Sequence, residues 1–219
     1  MKEPQECSAC LIRQLLICAA LLLAAGCATE APVGINRVLS AKVVYQKGAA
    51  QCFTGHNVWQ PLKLGDIVKP GTIIQTAAKS RIDLVLGDCS GRNIVRIWEN
   101  TLLGIDKLTS TQAGADEVTE TQLDLKAGHI FGMVRKMSAA SKYEVKIPNG
   151  VAGLRGTVYD INAEGVVKVL SGSVVLAYVG PDGTVVTEVI VGWQQFDART
   201  GTPTSIPYTW RNSPVSRRF

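Results

Sequence analysis

The sequence predicts an all-β protein, a single domain of about twelve short strands arranged as a sandwich or as a roll or solenoid. Three observations predict it. Nearly every apolar cluster is strand-sized and closed by Gly, Pro, Asn or Asp. Alternation with period two is plain where Thr119, Thr121, Leu123 and Leu125 interleave with Glu120, Gln122, Asp124 and Lys126, which assigns one buried and one wet face. No segment keeps a helical apolar period for three turns.

Residues 1–26 read as a lipoprotein signal peptide. The apolar run from Gln14 to Gly26, preceded by Arg13, falls short of the ~20 residues that cross a hydrocarbon core and suits a secretory segment. Small residues then meet Cys27, a pattern that resembles the bacterial lipobox and implies cleavage after Gly26 and lipidation of Cys27. Ala28 behind that cysteine resembles the outer-membrane sorting preference. The expected location is the periplasmic face of the cell envelope, with the membrane engaged through lipid at Cys27. Residues 27–36 read as a tether, 37–199 as the β domain, and 200–219 as a basic, Pro-containing tail.

Within the domain, strand patterns run from Val38 to Gln46, Thr72 to Thr76, Ile82 to Leu86, Ile94 to Trp98, Val118 to Lys126 and His129 to Arg135. Others run from Tyr143 to Ile147, Thr157 to Asn162, Val166 to Leu170, Ser173 to Val179 and Thr184 to Val191. Turns are expected at Gly65-Asp66, Lys69-Pro70-Gly71, Gly87-Asp88, Asn100, Ser171-Gly172 and Pro181-Asp182-Gly183. Tyr143 to Ile161 holds glycines at 150, 153 and 156, expected to form a turn region ending at Thr157 between two strands. That G-x-x-G-x-x-G spacing opens no helix, so it is read as structural and not as a phosphate cradle. A weak internal echo links Leu62-Lys63-Leu64-Gly65-Asp66-Ile67 with Leu125-Lys126-Ala127-Gly128-His129-Ile130.

Removing the signal takes away Lys2, Arg13, Glu3 and Glu6 and leaves the net charge at +5, too dilute to argue for nucleic acid. Of six cysteines, Cys7, Cys10 and Cys18 fall in the signal and Cys27 carries lipid, which leaves Cys52 and Cys89 for a disulfide in an oxidising compartment. Closing that loop of about 37 residues would stabilise the fold by roughly 3–4 kcal/mol in the chain-entropy view. His56 and His129 with Cys52 make too few ligands for a metal site, and no cofactor is expected. Asp83, Asp88, Glu99, Asp106, Asp160 and Glu164 are scattered carboxylates, and neither histidine neighbours a nucleophile, so the chain is expected to be no enzyme.

Three blocks stand in a recognisable order: Trp59-Gln60-Pro61-Leu62 through Gly65-Asp66-Ile67 to Gly71-Thr72-Ile73-Ile74-Gln75-Thr76; Ser80 to Asp88; and Leu123-Asp124-Leu125, Ala127-Gly128, Tyr143-Glu144-Val145 with Val151 to Thr157. Together they resemble the FecR domain over roughly Val58 to Val179. The resemblance implies an extracytoplasmic all-β domain. In the family's iron-uptake regulators it relays a receptor signal through a membrane helix to a sigma factor. This chain departs from that plan, with no cytoplasmic region and twenty-residue helix ahead of the domain and no receptor-plug-like module behind it, so sigma-factor control is not carried over.

The expected function is therefore a non-enzymatic, lipid-anchored envelope protein that binds an envelope protein partner or signals through β-surface contacts, an exposed edge strand being the means. Arg155, between two glycines, is expected either to lock a loop internally, the preferred reading, or to meet a partner. The alternative is a carbohydrate or cell-wall polymer binder that uses two of Trp59, Trp98, Trp193 and Trp210 in one groove.

Overall fold

The computed structural model describes residues 36–55, 58–87, 93–180 and 182–207. The signal, Cys27, His56, Asp88, Cys89, Trp210 and the final basic residues lie outside these. The described residues fold entirely as strands and turns, and no helix among them is long and apolar enough to cross a membrane.

Seventeen strands are described. The first eight are β1 (Asn36–Val38), β2 (Ala41–Lys47), β3 (Ala50–Phe53), β4 (Trp59–Pro61), β5 (Ile67–Val68), β6 (Thr72–Thr76), β7 (Arg81–Leu86) and β8 (Asn93–Ile97). The longer β9 (Leu102–Ala113) and β10 (Asp116–Ala127) follow, then β11 (His129–Val134) and β12 (Lys142–Ile147). The chain ends in β13 (Gly150–Asn162), β14 (Val166–Val179), β15 (Val185–Val191), β16 (Gln194–Asp197) and β17 (Thr202–Ser205). β17 pairs with β16 and Ile206 behind it is buried, so the sheet runs on into the stretch read as tail.

Sixteen ladders join these strands in one branched, open sheet. Among the described residues that is one ladder fewer than strands, so no ring of ladders closes there. One arm runs β4–β3–β6–β9–β10, with β1 also on β9. The other runs β5–β2–β7–β8–β11–β13, and β14 to β17 extend it. A parallel ladder between β10 and β12 connects the arms, β12 pairing onward with β13. The two arms share one cluster of buried apolar residues, among them Val43, Ile74, Leu84, Val95, Leu103, Leu123, Ile130, Tyr159, Val169 and Phe196. Each such side chain, once buried, contributes about 1.5–3 kcal/mol.

The strands outnumber the expected dozen because β3, β4, β5, β16 and β17, of two to four residues each, are too short to show an alternation, and because β9 is irregular. β9 has its apolar period broken by a register shift against β10 between Gln122 and Leu123, so its sequence does not alternate cleanly. The expected turn region after Asn149 is instead one strand. Only Pro148-Asn149 turn, Gly150 opens β13, and Gly153 sits in mid-strand. Gly156, with φ +61°, and Gly172, with φ +80°, form a bulge in which β13 and β14 shift register, so Ser171-Gly172 does not end a strand either. A Cβ on Gly172 would lie 2.3 Å from the Gly156 carbonyl oxygen. The buried Thr157 hydroxyl donates to Ser173 O at 2.8 Å and accepts from Arg155 N at 3.3 Å, which fastens the bulge.

Tight turns do form at Gly65-Asp66 and Gly71. Gly65 has φ +90°, and the Asp66 carboxylate accepts the Lys63 N–H at 2.7 Å. Gly71 has φ +86° and donates its N–H to Ile105 O at 2.7 Å, which ties the β5–β6 turn to β9.

Candidate partner-binding face

The outward face of β10, β12, β13, β14 and β15 changes character across its width. One row of directly paired residues reads Asp124, Lys146, Val151, Ala177, Thr187. The next reads Gln122, Glu144, Gly153, Val175, Val189. On the β9–β10–β12 side the charges satisfy one another: Lys146 bonds Asp106 at 2.9 Å, Gln122 bonds Glu144 at 3.2 Å, and Lys107 pairs with Glu120. The Lys107 hydrogen bond also lowers the Glu120 carboxyl below its ordinary range.

Beyond Gly153 the face turns apolar. Val151, Val175, Val179, Val185, Val189 and Val191 are all exposed, Val185 at 74% and Val189 at 56%. Alternation explains this: Val174, Leu176, Tyr178 and Ile190 take the inward positions of the same strands, and valine suits both sides of a pleated sheet. A group of exposed apolar side chains of this kind is a candidate interaction surface, unlike a lone surface valine.

This group ends at an open edge. β15 forms a ladder with β14 alone among the described strands, so its other side carries no second ladder, and there the Val191 N–H is taken by Gln194 Oε1 at 3.1 Å. Its sequence, VVTEVIV, contains no lysine or proline to blunt that edge. Arg155 stands at the rim, in a row with Ser173 and Val191. It is exposed, and its guanidinium makes no hydrogen bond or ion pair among the described residues, so the internal lock expected for it is not formed. The guanidinium is left facing solvent beside an apolar surface.

A second, polar row crosses the other arm: Tyr45, Asp83, Arg96, Phe131, Asp160, Lys168, Gln195. The buried Asp83 carboxylate takes both arms of Arg96, Nε at 2.8 Å and Nη2 at 2.7 Å. Asp160 lies 2.8 Å from His129 Nε2 and 3.7 Å from Lys168 Nζ. Both atoms are buried and neither meets the geometry of a hydrogen bond, so the His129–Asp160 approach is a close polar contact between β11 and β13. Trp98 stacks on His129 at 6.0 Å and 12°. Asp83, Asp106 and Asp160 each thus face a basic partner, an arrangement that holds strands together.

The remaining predicted residues fall elsewhere. Cys52 is half-buried on β3 and bonds no other cysteine among the described residues, and as a thiol it is pushed above the ordinary range by burial and then by the charge of Asp66. Its expected partner Cys89 lies outside the described residues. Trp59 packs on Phe53 at 5.5 Å, and Trp193 is exposed at the β15–β16 turn with φ +67°. Trp59, Trp98 and Trp193 line no cavity together among those described.

Residues 72–175 match the family model described as FecR protein. No curated protein matches the chain. Among solved structures the chain is similar to a candidate anti-sigma factor from Parabacteroides distasonis ATCC 8503, solved at 1.65 Å and again at 2.50 Å. Each comparison has 15% identity and a TM-score of 0.43, and covers 60% of this chain and 57% of that one.

Proposed function

This chain carries a FecR domain, and on that premise we propose that it serves envelope signalling by non-enzymatic protein contact, held at the membrane by lipid on Cys27. The observation that carries the reading is the exposed valine face ending at the unpaired edge of β15. An extended segment of an envelope protein adds to that edge by main-chain hydrogen bonds, and its alternate side chains cover Val185, Val189 and Val191. Arg155 supplies one cation at the rim, which favours an acidic residue on the incoming segment.

The test places a photo-crosslinking residue at Thr187, on the outward face of β15, in the full chain in cells. A discrete adduct with an envelope protein, lost on Val189→Lys and weakened on Arg155→Ala at unchanged melting temperature, is the expected outcome. An adduct indifferent to Val189→Lys would overturn the reading. Anchoring is tested separately: Cys27→Ser releases the protein from membranes if that cysteine bears the lipid. For the proposed Cys52–Cys89 bridge, the non-reduced protein would show no alkylatable thiol at either cysteine, and two modified thiols would refute it.

A further inference from the structure

A cavity of about 350 Å³ at the far end of the polar row is lined by Lys47, Lys79, Ser80, Arg81, Trp98 and Glu99. Its walls are built from three chain segments tied together. Lys47 ends β2 and is the direct cross-strand partner of Arg81, the first residue of β7. Ser80 accepts the Ala49 N–H at 2.9 Å, and a Cβ on Gly48 would stand 2.4 Å from the Ser80 oxygen, so these turns are in close contact. Lys79, held at φ +57°, donates its N–H to the Glu99 carboxylate at 2.5 Å, and Thr76 donates to Trp98 O at 2.5 Å. The cavity is therefore framed by bonded turns.

Its charge is lopsided. Lys47 and Lys79 pair with no carboxylate among the described residues. Arg81 reaches Asp83 only at 4.0 Å, because both Asp83 oxygens are engaged by Arg96. Among the described residues Glu99 is the one acid on the wall, and one of its oxygens is occupied by the Lys79 N–H. Arg81 is meanwhile fixed in place, with its guanidinium carbon 4.3 Å from the centroid of Tyr45 and its buried Nε lacking a hydrogen-bond partner. A held guanidinium with unused donors, flanked by two ammonium groups, suits an oxyanion.

We propose that this cavity binds a small oxyanion, a phosphate or carboxylate group, with Arg81 as its anchor and Lys47 and Lys79 completing the charge. The site is separate from the β15 face and stands or falls independently of the reading above.

The indole N–H resonance of Trp98 on the cavity wall, identified by its loss in Trp98→Phe, reports occupancy in the full chain. Titration with sodium phosphate, and separately with sodium acetate, at ionic strength held constant with sodium chloride should shift that resonance saturably with at least one of the two. Saturation by phosphate alone identifies the phosphate source, and saturation by acetate alone or by both identifies the carboxylate or the shared oxyanion chemistry. Arg81→Ala should weaken binding by about tenfold or more, the loss of one charge-assisted hydrogen bond. Lys47→Gln with Lys79→Asn, exposed changes that spare the core and suit the backbone of residue 79, should weaken it at unchanged melting temperature. No saturable shift with either anion, or equal affinity in the Lys47→Gln/Lys79→Asn protein, overturns the proposal.

Discussion

Gly132→Ala puts one methyl group where the structure has no room for it. Gly132 is the direct cross-strand partner of Tyr159. A Cβ there would stand 2.3 Å from Cζ, 2.4 Å from Oη and 2.6 Å from Cε1 of that ring. Comfortable contact between carbon atoms is about 3.5–4.0 Å, so ring or strand must move by more than about 1 Å. Tyr159 is fully buried, and overpacking of that kind costs about 1–3 kcal/mol. The ring cannot move freely, because its hydroxyl lies 3.0 Å from that of Tyr143. Parting them leaves two buried hydroxyls unmatched, for about 1–3 kcal/mol more. The expected loss is about 2–6 kcal/mol, a large share of the roughly 5–15 kcal/mol that stabilises a typical domain. Urea titration should show a lower midpoint at unchanged slope, and thermal unfolding a Tm lower by roughly 10 °C. Tyr159→Phe isolates the hydroxyl contribution, at about 1–2 kcal/mol. A Gly132→Ala protein within about 1 kcal/mol of the parent would refute the close-packing argument.

The other predictions test separate parts of the structure. Asp83→Ala leaves Arg96 buried without its bidentate partner and should cost about 3–5 kcal/mol by urea titration. Gly172→Ala combines φ +80° with a Cβ 2.3 Å from a backbone oxygen, and should cost more than Gly153→Ala, whose Cβ meets nothing closer than 3.7 Å. Burial raises the phenol pKa values of Tyr143 and Tyr159 above the ordinary value of about 10. Above that pH the unfolded chain loses protons that the folded chain keeps, so stability should fall by up to about 1.4 kcal/mol per pH unit per tyrosine and be unaffected by these groups near neutrality. Alkaline titration of the unfolding midpoint, with phenolate absorbance reporting the two buried rings only on unfolding, checks the sign.

The fold class was legible because strand alternation is local. On β10, Thr121, Leu123 and Leu125 are buried where period two puts them. Glycine misled because it serves two ends. Gly65 and Gly71 make turns, while Gly156 and Gly172, with equally positive φ, sit inside long strands as a bulge, and no nearby residue distinguishes the cases. The valines of β15 were legible as a strand but not as an exposed face, since Val185 to Val191 reads as a buried run until the pairing with β14 assigns its sides. The two glycines beside Arg155 suggest an internal lock, but its place at the rim depends on which strands lie beside it. The cationic cavity was invisible for the same reason, since Lys47, Lys79 and Arg81 converge only through the β2–β7 register and the turn before β7.

The parallel seam between β10 and β12 has a topological corollary. Sever it, and the strands fall into two sets: β1, β3, β4, β6, β9 and β10 in one, and all the rest in the other. Along the polypeptide these sets are interlaced like two threads of one braid, so no cleavage point yields two self-sufficient halves. The stretch 72–175 is thus shorter than the unit that must fold together, for excising it would strip β3 from β6, β2 from β7 and β15 from β14. Trimming to the matched region should give an insoluble fragment.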